Sequence, residues 1–166
     1  MELLIRVARP DDAEGIVAVF NPIIESGLYT TFDTPFTVED ERAYILSLTH
    51  RDIFHVAVRL PEQTIVGFQS MSPLPGHSQA FAHVGVLGTF VDLACRRQGI
   101  ARRLFAATFA VAKAKGYDKL FTYVRADNPA ALAAYQSQGF RIVGTARRHA
   151  KVRGEYIDEV VIERLL

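Results

Sequence analysis

The stretch from Phe81 to Gly116 constrains the fold more than any other part of the chain. An apolar run, Phe81 to Leu93, reads as one long strand. It meets a polar turn, Arg96-Arg97-Gln98-Gly99, which opens into a helix running to about Lys115. Lys113 and Lys115 complement the negative end of the helix dipole, and Gly116 is a natural stop. A strand pattern resumes at once, from Lys119 to Arg125. Gly85 and Gly88 inside the long run point to a bulge or a close backbone approach.

The rest of the chain builds on this unit. Leu3 to Val7 predicts a first strand, and Pro10-Asp11-Asp12 a helix start. Ala13, Ile16, Val17 and Phe20 form one helical stripe, and Pro22 is expected to kink or end it. Residues 27 to 36 predict an aromatic, turn-rich loop. Thr37 and Asp40 resemble a capping box ahead of a second helix with Tyr44, Ile45 and Leu48 on its apolar face. Ile53–Val58 and Thr64–Met71 read as a hairpin around Pro61-Glu62-Gln63, with a loop over 72–79. Asn128-Pro129 opens a short helix that ends near Gly139, and two strands joined around residues 151–154 close the chain. The order β-α-α-β-β-β-α-β-α-β-β, with no linker or repeat, predicts one α+β domain over residues 1–166 with a mixed sheet.

Composition excludes several classes. Nineteen Lys and Arg against eighteen Asp and Glu give a net charge of +1. That balance offers no global pull toward nucleic acid or an acidic membrane. The single cysteine, Cys95, forbids an intrachain disulfide. The opening residues are charged too soon for a signal peptide. No apolar run reaches the roughly 18 residues a transmembrane helix needs. The expected location is cytoplasmic. No HExxH, CxxC, GxxxxGK[ST] or GxSxG pattern occurs, so no metal site is expected.

Two local patterns carry chemistry. Arg96-x-x-Gly99-x-Ala101 joins a strand to a helix. The first amides of a helix lack internal partners and sit at its positive end, so this turn suits an anion. Gly99 and Ala101 leave room for a bulky phosphate, and Arg96, Arg97, Arg102 and Arg103 add charge. The same turn also reads as a solvated basic helix start. The second pattern is Asn128-x-x-Ala131-x-x-x-Tyr135-x-x-x-Gly139-Phe140. Ala131 and Tyr135 share a helix face. Tyr135 also reads as a core aromatic with a satisfied hydroxyl.

Together the two patterns resemble those of the GNAT superfamily of N-acetyltransferases, over essentially the whole chain. Phe20-Asn21, Thr31-Phe32 and Pro35-Phe36-Thr37 are similar to its phosphinothricin acetyltransferase-like branch. The resemblance implies a twisted, mostly antiparallel sheet of about six or seven strands with about four helices. It implies acetyl transfer from acetyl-CoA to an amine by direct attack in a ternary complex. The backbone of Thr89, Phe90 and Val91 would meet the pantetheine arm, with an amide near Val91 polarising the thioester carbonyl. Arg96, Arg97, Gln98, Gly99, Ile100, Ala101 and Arg102 would cradle the pyrophosphate. Asn128 would bond the cofactor arm, and Tyr135 would act as general acid on the leaving thiolate. Cys95 becomes a bystander. A homodimer is common in this branch.

One position departs from that pattern. Where many relatives carry a glutamate as general base, this chain has Val86. His83, reaching through a glycine-rich bulge, is one route to a base; a water relayed from Asp92 or another acid is a second; an acceptor needing no base is a third. The acceptor pocket is expected from Tyr29, Thr31, Phe32 and Phe36, with the loop around His77. These aromatics suit a small amine such as an amino acid or analogue, or they pack the second helix. Arg147, Arg148, Lys151 and Arg153 read as a solvated basic face or a carboxylate site. Two alternatives stand beside the small-amine reading: a protein N-terminal or lysine acetyltransferase, and a non-catalytic acyl-CoA-binding module.

Overall fold

A strand that is apolar on both faces needs a layer on each side. β2 (Ile53–Leu60) is such a strand, with its first six residues buried. The computed structural model, which describes residues 1–166, sandwiches it accordingly. The other elements are β1 (Glu2–Val7), α1 (Ala13–Ser26), α2 (Val38–Ser47), β3 (Thr64–Pro73), β4 (Val84–Val91), α3 (Ile100–Ala114), β5 (Lys119–Arg125), α4 (Pro129–Ser137), β6 (Arg141–Val152) and β7 (Glu155–Leu165). One seven-stranded sheet has the order β1-β2-β3-β4-β5-β7-β6. All pairs are antiparallel except β4–β5, which is parallel and has α3 as its crossover.

Each face has its own core. Ile16, Val19, Phe20 and Ile23 of α1 pack on Phe54, Val56, Val58 and Phe68. On the other face Phe105, Ala112, Tyr135 and Phe140 pack on Leu120, Val124, Val160 and Ile162. The first turns of α3 bury Ile100, Leu104 and Phe105 almost completely. At about 2 kcal/mol for each such side chain, the start of α3 is held firmly against the sheet. Gly67 of β3 permits that contact, because a Cβ there would lie 3.0 Å from the Phe90 carbonyl and 3.1 Å from Ile100.

The structure corrects several local expectations. Pro22 does not end α1, which continues to Ser26 and stops at Gly27 in the left-handed conformation (φ 69°). Pro22 itself is exposed, while Ile23 and Ile24 bury directly after it, so core packing outweighs the lost amide. The long β run is trimmed at both ends. Phe81 belongs to a 3₁₀ turn and is 49% exposed, and Leu93 begins another. No bulge interrupts β4, whose register with β3 is unbroken from Gly85 to Val91. Gly85 instead makes room for Met71, whose side chain would lie 2.8 Å from a Cβ there.

The feature that positions a site is the meeting of β4 and β5. They pair only at Val84–Lys119, Gly85–Leu120 and Val86–Phe121, and then diverge. At the point of divergence the Leu87 carbonyl accepts a hydrogen bond from the Thr122 hydroxyl at 2.7 Å.

Candidate active site

The splay between β4 and β5 opens into a cavity of about 550 Å³. One wall is the free edge of β4. Asp92 donates its amide to Val66 of β3. Alternation along an extended strand therefore turns the backbone groups of Phe90 toward β3 and those of Leu87, Thr89 and Val91 toward the cavity. Phe90 contributes a ring instead, packed 4.5 Å from Phe20 and 5.1 Å from Phe68.

Beyond β4 lies the arginine turn. Gly99 adopts φ 78° as the residue preceding α3, and nothing lies within 4 Å of a Cβ built there. No backbone carbonyl accepts from the amides of residues 97 to 102, and no side chain caps the helix. These donors and the dipole of α3 converge on one open spot, which is what a bound phosphate group requires. Arg96 and Arg97 line the cavity there. The Arg96 guanidinium lies over the Tyr29 ring at 3.9 Å, which ties the turn to the loop between α1 and α2.

α4 forms the opposite wall. The Asn128 side chain caps it by accepting from the Ala131 amide at 3.2 Å. Ala131 leaves space, and Tyr135 one turn later is buried against Phe105 and Phe140. Its hydroxyl donates to Thr89 Oγ1 at 3.1 Å. Burial pushes the Tyr135 phenol up to about 12, so it stays protonated at neutral pH.

The family model described as the acetyltransferase (GNAT) family matches residues 24–140, which span the splay, the turn and α4. The chain belongs to the GNAT acetyltransferase family. The phosphinothricin N-acetyltransferase of Streptomyces coelicolor is 27% identical over 168 residues, covering 99% of this chain and 97% of that one. Among solved structures, a ribosomal-protein-alanine N-acetyltransferase from Brucella melitensis superposes with a TM-score of 0.91 at 27% identity, covering 98% and 99% of the two chains. A GNAT phosphinothricin acetyltransferase from Sinorhizobium meliloti, solved with AcCoA, gives 0.90 at 18% identity, covering 100% and 89%.

Within this GNAT domain the cavity gathers most of the residues singled out by sequence. Thr89, Phe90, Val91, Arg96, Arg97, Gly99, Ile100, Ala101, Asn128 and Tyr135 all line it, as do Tyr29, Thr31 and Phe32. Four others do not. The side chains of Gln98 and Arg102 are exposed outside it. Phe36 turns away to stack on Phe20 at 5.6 Å, held by paired 2.9 Å hydrogen bonds between its backbone and the Asn21 side chain. His83 precedes β4, is exposed, and lies outside the cavity, since the bulge it needed is absent. His77 is likewise exposed and outside. Arg103 leaves the turn to donate to the Leu3 carbonyl at 2.6 Å. The basic run of the last hairpin is spent on structure, with Arg147 near Asp158, Arg148 over Tyr156, and Arg153 on α1 carbonyls.

The far wall was not singled out from sequence. Thr122, Tyr123 and Arg125 of β5 and Glu159 of β7 line the cavity. The Arg125 side chain is 5% exposed. Its guanidinium donates to the carbonyls of Gly27 (2.9 Å) and Thr30 (3.0 Å) and grips Asp127 with two bonds of 2.8 and 2.7 Å. Its grip holds the Asp127 carboxyl below the usual carboxylate range. The β-rich pattern of 119–125 was visible in sequence, but its cross-strand partner was not.

Proposed function

We propose that this GNAT enzyme transfers an acetyl group from acetyl-CoA to the amine of a small molecule, an amino acid or analogue, by direct attack in a ternary complex. The observation that carries the reading is the cavity's two-ended build. One end has free strand amides and an uncapped helix start beside Arg96 and Arg97, with the Tyr29 ring laid on Arg96; the other is roofed by Thr31 and Phe32. The first end fits a pantetheine arm and its pyrophosphate. The second is short and aromatic, which suits a small acceptor better than a protein segment. The N-terminal acetyltransferase alternative draws on the Brucella structure, and a peptide panel tests it.

In this reading the backbone of Thr89 and Val91 pairs with the donor's amides, and the Val91 amide polarises the thioester carbonyl. The amides of residues 97–102, with Arg96 and Arg97, hold the pyrophosphate. Asn128 bonds the arm. The amine attacks the carbonyl carbon, the C–S bond breaks onto sulfur, and Tyr135 donates the proton that the thiolate takes. The reading extends to one domain over residues 1–166, a cytoplasmic location and a homodimer. No helix is long and apolar enough to cross a membrane. Sedimentation velocity tests the dimer.

The deciding experiment measures thiol release with saturating acetyl-CoA against amino acids, their sulfoximine and phosphinic analogues, polyamines and short peptides. Turnover with a small amine is the expected result. Tight acetyl-CoA binding with no transfer to any amine overturns the reading, and turnover on peptides alone replaces it.

A further inference from the structure

An amine that attacks a thioester has to lose a proton, so the cavity needs a group to take it. Among the residues that line it there is no histidine and no aspartate, and Glu159 is the one carboxylate. The tyrosines are poor bases, and the Tyr135 phenol is already assigned to giving a proton. Cys95 is buried among Ala57, Val66, Ile100 and Leu104, at the donor end of the cavity.

Glu159 sits on the acceptor side. It pairs in register with Arg125, and Arg125 reaches the carbonyls of Gly27 and Thr30. The side chains of Phe121, Tyr123 and Arg125 alternate onto that same face, and so do Glu159 and Val161 opposite them. Val86, paired with Phe121, shares the face as well. Glu159 therefore lies on the same sheet face as Val86, one strand beyond β5 and four register positions further along it, where the cavity is open. It is only 8% exposed, and no side-chain hydrogen bond occupies it.

We infer that Glu159 is the general base of this acetyltransferase, replacing the carboxylate that Val86 does not supply. The inference rests on the transfer reading given above. The amine nitrogen forms the new C–N bond and gives its proton to the Glu159 carboxylate. The C–S electron pair leaves on sulfur, which takes a proton from Tyr135. Glu159 then releases its proton to solvent and Tyr135 regains one, so the net products are the amide and the free thiol.

The groups that face Glu159 are Arg125 and Tyr123 on β5 and His149 on β6, while the loop between α1 and α2 presents no charged side chain to the cavity. His149 stacks on Tyr123 at 5.2 Å, brought there by the break in β6–β7 register between Ala146 and Ala150. Burial raises the Glu159 carboxyl above its ordinary value, against the opposing pull of His149 and Arg125. A carboxylate moved in that direction takes up a proton more readily near neutral pH.

The test compares wild type with Glu159→Gln and Glu159→Ala, using one amine acceptor that the wild type turns over. The alanine variant carries the test if the amide variant does not fold. The expected result is a fall in kcat of about 100-fold at pH 7, with loss of the acidic limb of the kcat–pH profile. Acetyl-CoA affinity by calorimetry stays within about twofold, because Glu159 lies away from the donor end. A variant that keeps kcat and its acidic limb, or that changes only the acceptor KM, overturns the base assignment. A wild type that binds acetyl-CoA and acetylates no amine overturns the transfer reading itself, and this inference with it.

Discussion

The Tyr135 hydroxyl donates to Thr89 Oγ1 across 3.1 Å, so α4 and β4 are joined by a hydrogen bond inside the cavity. Thr89 also accepts from Gln69 Nε2 at 2.7 Å, and Gln69 is fully buried. The phenol is thus aimed from one side by aromatic packing and from the other by a threonine on the strand that would carry the donor. Removing the hydroxyl should leave the packing and take away the proton. Tyr135→Phe is expected to lower kcat by about 100-fold with little change in acetyl-CoA KM. Steady-state thiol release checks this.

Gly99 is the point where a left-handed backbone conformation meets the open amides proposed to hold the pyrophosphate. Its φ of 78° costs a residue with a Cβ about 1–2 kcal/mol, and a side chain there would project into open space beside the free amides. Gly99→Val is therefore expected to fold with a slightly lower melting temperature. Acetyl-CoA binding should weaken by about tenfold, the equivalent of 1.4 kcal/mol. Calorimetry and thermal denaturation separate the two effects.

Arg125 fixes the loop that would roof the proposed acceptor end. Hydrogen bonds from a charged donor are worth about 1.5–3 kcal/mol; its bond to the Thr30 carbonyl is buried and its bond to the Gly27 carbonyl partly so. Arg125→Ala should cost about 2–3 kcal/mol of stability and raise the acceptor KM more than the acetyl-CoA KM. Arg125→Lys keeps the charge and loses the fork, so it should fall between.

Glu41 on α2 is 5% exposed, and burial pushes its carboxyl up to about 7. A carboxyl raised in the folded state binds its proton more tightly there than in the unfolded chain. Its contribution is therefore present below the ordinary carboxylate range and is lost as pH rises through about 7. Glu41→Gln should raise the melting temperature by a few degrees at pH 8 and by much less at pH 5. Thermal denaturation across that pH range checks it.

His83→Ala should leave kcat and the pH profile unchanged, since the ring is exposed and outside the cavity. A pH profile measured beside that of the Glu159 variants shows which of the two positions matters.

What sequence revealed and what it hid divide by chain distance. The arginine turn, α3 and the Asn128 cap are local, and each follows from residues within one or two turns of each other. The trimmed ends of β4 were hidden because Phe81 and Leu93 are apolar residues in turns, and composition alone extends the strand through them. Glu159 was hidden for a deeper reason. Its address is set by pairing with Arg125, thirty-four positions earlier in the chain, and by the splay that exposes both to one space. Phe36 shows the converse, since an aromatic in the right loop went to Phe20 because Asn21 holds its backbone.

The parting of β4 and β5 also bears on how the protein behaves in a crowd. An unpaired strand edge ordinarily invites another chain to add itself, the first step of aggregation. Here the unpaired edge lies in the middle of the sheet, walled by α4, the arginine turn and the loop at Tyr29 to Phe32. In the proposed reading this inner edge pairs with a slender ligand, while the walls around it refuse a neighbour's strand.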